Sequence, residues 1–87
     1  MHERALMKDV MAKIEEVARA DGAVRVTRVR VRLGALSHFT AAHFREHFDD
    51  ASSGTIAEGA VVDAVLADDL ADPRARDVVL ESVEVES

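Results

Sequence analysis

Residues 24–33 read VRVTRVRVRL. Val29, Val31 and Leu33 alternate with Arg28, Arg30 and Arg32. That two-residue period marks a half-buried strand. It also constrains everything around the strand. One face needs an apolar cover, and the other must stay in water, because unpaired arginines are not buried. Val24 and Val26 have the opposite parity, so the phase slips near Thr27, and a bulge or a late strand start is expected there. The arginine row reads as the solvated face of a sheet. Asp63, Glu84 and Glu86, on other candidate strands, can balance it.

The apolar cover comes from two helical stretches. From Glu3 to Ala20, Leu6, Val10, Ile14 and Val17 recur at helical spacing, with Met7, Met11 and Ala18 widening the stripe. Asp21-Gly22 is a natural stop. Gly34 to Phe39 reads as a loop. Thr40 suits an N-cap, Phe39 and Phe44 a hydrophobic staple, and the second helix should run from Ala41 to about Ala51. All three phenylalanines then serve the core.

After Ser52-Ser53-Gly54 and GTIAEG comes AVVDAVLAD, a second strand. ADDLADPRAR reads as a turn or short loop, and DVVLESVEVE as a third strand. The expected fold is α/β (α+β) in the order α-β-α-β-β, with two helices on one face of a three-stranded sheet. The last two strands, close in sequence, are expected to form a hairpin. Leu6, Val10, Ile14, Phe44, Phe48, Val29, Val31, Val83 and Val85 should be buried.

The chain has 87 residues, suited to one domain spanning 1–87. Its core is modest, which leaves a homodimer open. Net charge is −6, which argues against general binding to nucleic acid or anionic membranes. No apolar run reaches the roughly 20 residues of a membrane span. The first residues are not a secretory signal, so the expected location is cytoplasmic. There is no cysteine. Disulfides, thiolate zinc sites and thiol nucleophiles are thereby excluded, and any metal must use nitrogen and oxygen ligands. No nucleophile–base motif or phosphate-cradling glycine loop is visible, so catalysis is not expected.

The four histidines are His2, His38, His43 and His47. His43 and His47, spaced i,i+4, share a helix face as in helical metal sites. With no third ligand indicated, they read as solvated side chains and not as nickel ligands. His38 reads as a surface loop residue. His2 is distinguished by position. A free Met1 amine, the His2 amide nitrogen and the His2 imidazole can form fused chelate rings, and the next amide or the Glu3 carboxylate can complete a plane. Such a set suits square-planar Ni(II) or Cu(II). From position alone, an incidental histidine remains the plainer reading.

Taken together, these segments resemble the HypA nickel metallochaperones of [NiFe]-hydrogenase and urease maturation. The resemblance lies in the N-terminal MHE, in RVTRVRVRLGALS, in GTIAEGA and in ESVEVE, in that order. It implies that His2 is a nickel ligand, with Met1 and Glu3 contributing nearby atoms. It implies transient Ni(II) as cargo, with a HypB-like GTPase and the hydrogenase large subunit as partners. The alternative class is a metal-free adaptor that docks on maturation partners. Family members carry a zinc domain with two CxxC motifs between the last two strands. Here that place holds DDLADPRARD, so no structural zinc is expected.

Overall fold

A computed structural model describes residues 3–87, Glu3 by its backbone alone. Five elements follow in order: α1 (Glu3–Ala20), β1 (Arg25–Leu33), α2 (Ala41–Ser52), β2 (Val61–Leu66) and β3 (Val78–Glu86). The α-β-α-β-β order and the cover of one sheet face by both helices are as the patterning predicts.

Helix α1 buries Met7, Val10, Met11, Ile14 and Ala18. Leu6 is only partly buried, and Val17 is 39% exposed. The buried stripe is therefore rotated toward the methionines relative to the expected one. The reason is that α1 faces two neighbours, α2 and the sheet edge at β3, so its inward face is centred between them. The helix ends in paired bonds from Gly22 N to Arg19 O (3.1 Å) and from Ala23 N to Ala18 O (3.0 Å). Gly22 has φ 64°, the left-handed geometry this C-cap requires.

At the start of α2, Thr40 Oγ1 accepts a hydrogen bond from His43 N at 3.0 Å. Phe39 and Phe44 meet edge to face, centroids 5.7 Å apart, which is the expected staple. Phe44 and Phe48 are fully buried. Thr40→Ala should therefore cost about 1 kcal/mol, read as a lower urea midpoint at unchanged slope. An unchanged midpoint would show that the cap is dispensable.

The sheet order is β2-β1-β3, with β1 parallel to β2 and antiparallel to β3. This corrects the expected hairpin: β2 and β3 do not pair, but flank β1. The cationic row explains the preference. Arg28 lies 3.9 Å from Asp63 on β2 and 3.8 Å from Glu84 on β3. Arg30 likewise reaches Asp63 at 3.9 Å and Glu81 at 3.3 Å. A hairpin would set the acidic residues of β2 and β3 against one another and leave the arginines on an edge. Each exposed pair contributes little energy, but together they favour β1 in the middle.

The phase slip at Thr27 is a bulge, since Val26 pairs with Val85 and Arg28 with Glu84. Thr27 Oγ1 donates to Glu84 O at 3.1 Å. Val26, Val29, Val31 and Leu33 thus all face the core. A second irregularity lies opposite Arg30 and Val31, where β3 carries the extra residue Glu81. It lets Leu80 and Val83, of opposite parity, pack against the same core. Val83 and Val85, expected buried, are partly buried on this edge strand.

Residues 67–77 carry the chain from β2 across the end of β1 to β3. Ala67 N bonds to Leu33 O at 2.8 Å, Leu36 N to Ala75 O at 2.6 Å, and Gly34 N to Asp77 O at 2.9 Å. Ala75 is buried, and Arg32 pairs with Asp72 at 3.2 Å. Among the described residues, no helix is long and apolar enough to cross a membrane.

Candidate metal centre

The topology determines where the chain's first residues are mounted. β1 and β2 are parallel, so α2, which connects them, runs antiparallel to both. α1 turns back directly into β1 and also opposes it. The two helices therefore run side by side in one direction, with their N-termini at one end of the molecule. Two clefts between them show the alignment. One, of about 610 Å³, is lined by Arg4, Met7, Lys8 and Met11 of α1 and by His47, Asp50 and Ala51 of α2. The other joins Glu15 and Arg19 to Gly54 and Thr55 at the far end.

Met1 and His2 lie outside the described residues, as does the Glu3 side chain. The structure describes their mount. Helix α1 begins at Glu3 and is held within two turns by Met7, Val10 and Met11, all buried. A ligand set that includes Glu3, the first residue of α1, would meet the electropositive end of that helix, which disfavours a cation. Anionic ligands are needed to offset that cost.

His38, His43 and His47 lie around the N-terminal part of α2. His38 is exposed, with φ 67°. This is the left-handed region, where histidine is among the commoner non-glycine residues. It turns the chain into Phe39 and the cap of α2. His43 and His47 are not the freely solvated side chains their spacing suggests. Both are half-buried, and their Nε2 atoms are 2.9 Å apart. Both rings contact Phe39, at centroid distances of 5.5 and 6.3 Å. Among the described residues, no group of three or more His, Asp or Glu side chains is placed to hold a metal.

Residues 1–70 match a family model described as hydrogenase/urease nickel incorporation, metallochaperone, hypA. The chain belongs to the HypA family. The hydrogenase maturation factor HypA of Methylocella silvestris is 44% identical over 63 residues, covering 72% of this chain and 56% of that protein. That of Rhodobacter capsulatus is 40% identical over 65 residues, covering 75% and 58%. The chain thus spans little more than half the length of the curated HypA relatives it matches. The solution structure of the Ni metallochaperone HypA from Helicobacter pylori superposes with a TM-score of 0.81 at 19% identity, covering 100% of this chain and 99% of that one. This last likeness concerns the HypA fold, β3 included, whereas the family match ends at residue 70, within the crossing segment.

Proposed function

We propose that residues 1–87 form a HypA-like nickel-binding domain that carries Ni(II) to a [NiFe]-hydrogenase or urease precursor. The supporting observation is family membership over residues 1–70, a region that includes the sequence MHE. In this reading Met1 supplies its amine, His2 its imidazole and backbone nitrogen, and Glu3 a neighbouring nitrogen or carboxylate. A plane of nitrogen donors suits Ni(II). The deprotonated amide and the Glu3 carboxylate offset the positive end of α1. The residual repulsion keeps the site weak enough to release its cargo, as a carrier must. Water, His38 or a second chain completes the coordination. The protein acts in the cytoplasm without catalysing a reaction, needs no structural zinc, and hands nickel on through a HypB-like GTPase to the hydrogenase large subunit.

The test is calorimetric titration of untagged protein with Ni(II), beside His2→Ala and a form extended at the N-terminus. Both changes should weaken the tightest site at least tenfold, about 1.4 kcal/mol. The affinity of the native form should fall as pH drops from about 8 to 6, because free imidazoles and α-amines take up protons across that range. Equal affinity and stoichiometry in all three proteins would favour the metal-free adaptor instead.

A further inference from the structure

We infer that His43 and His47 form a second, separate half-site for a divalent transition metal, binding it through both Nε2 atoms in adjacent coordination positions. The separation of the two nitrogens is within reach of one metal ion. Metal–imidazole bonds are about 2.0–2.1 Å long, so two nitrogens at a right angle about one ion lie about 2.9 Å apart, whereas tetrahedral ligands lie about 3.4 Å apart. The observed separation is 2.9 Å. That is also the length of an N–H···N hydrogen bond, and it lies nearer the spacing of neighbouring ligands about square-planar or octahedral Ni(II) or Cu(II) than about tetrahedral Zn(II).

The pair is also held in place. Both residues sit on one regular helix, one turn apart, and rigid elements position ligands more precisely than loops do. Phe39 packs against both rings and limits their rotation. Without metal the two Nε2 atoms stand at hydrogen-bond distance, with donor and acceptor set by the ring tautomers. To bind a metal, both neutral rings carry their proton on Nδ1, the donor ring's proton moving there from Nε2, so that each Nε2 offers a lone pair. His47 also lines the open cleft beside α1, so one side of the pair is reachable from solvent.

Two protein ligands make a labile site, with the remaining positions left to water. Arg4 and Lys8 across the cleft oppose a cation, while Asp50, on the same cleft as His47, partly offsets them. The half-site should therefore be weaker than the one proposed at Met1–Glu3. It does not depend on that proposal.

His2→Ala protein isolates the pair. Titrated with Ni(II) and, separately, Cu(II), it should still bind one equivalent of either. Long-range proton–nitrogen NMR should show the Nε2 signals of His43 and His47 perturbed together, ahead of His38. Adding His43→Gln and His47→Gln should weaken that binding at least tenfold. The NMR measurement keeps both histidines in place, so it stands even if the double variant folds poorly. Uniform perturbation of all three histidines, or unchanged affinity in the folded double variant, would overturn the inference. Loss of all binding in His2→Ala alone would also overturn it, while leaving the N-terminal site intact.

Discussion

Phe48→Ala is expected to cost about 3–5 kcal/mol. Phe48 is fully buried and stacks on Phe44 at a centroid distance of 6.4 Å. Helix α2 joins its two neighbours at this point. Arg45 Nε donates to Val62 O at 3.2 Å on the sheet side, and α1 packs on the other. Removing the ring leaves a cavity that helices anchored on both sides cannot close. A domain of this size has roughly 0.05–0.15 kcal/mol of stability per residue, so the loss takes a large share of the whole. It should appear as a sharp fall in urea midpoint with the slope retained. A loss below about 1 kcal/mol would mean that Phe48 is not at the centre of the core.

The second large effect is expected at Gly34. A methyl group there would collide with the backbone of Arg74 and Ala75, above all with the Ala75 carbonyl. Backbone cannot swing aside as a long side chain can. The crossing segment must lift, straining the bonds from Leu36 N to Ala75 O and from Gly34 N to Asp77 O. Overpacking of this kind typically costs about 1–3 kcal/mol, partly offset by about 0.4–1 kcal/mol from a less flexible unfolded chain. Gly34→Ala should therefore be about 1–2 kcal/mol less stable, with faster amide exchange at Leu36. Neutral stability with unchanged exchange would show that the crossing segment is loosely held.

These two positions differ in how far they could be read from the chain. Phe44 and Phe48, at helical spacing behind an N-cap and staple, announce a buried face. Gly34 announces nothing, because its neighbour is some forty residues away and is brought there only by the route from β2 to β3. The bulge at Thr27 was legible as a parity change among valines. The same signal was present between Leu80 and Val83, where the extra residue Glu81 sits in β3.

At the candidate metal centre the balance is similar. The i,i+4 spacing puts His43 and His47 on one face, but spacing alone allows rings that point into water. In the fold both rings lie against Phe39, which precedes the helix, and their Nε2 atoms meet at 2.9 Å.

The five elements, their limits to within a residue or two and the solvated arginine face were legible in the chain's local patterning. Those properties depend on local periodicity, capping and composition, which act over one or two turns or a single strand. The place of β1 between β2 and β3, the close fit of Gly34 under the crossing segment and the convergence of two imidazoles emerge with long-range packing. Each of these depends on contacts between residues far apart in the chain, or on the packing that selects one rotamer among several. Sheet order in particular depends on the long-range pairing of β1 with both β2 and β3, which no local pattern specifies.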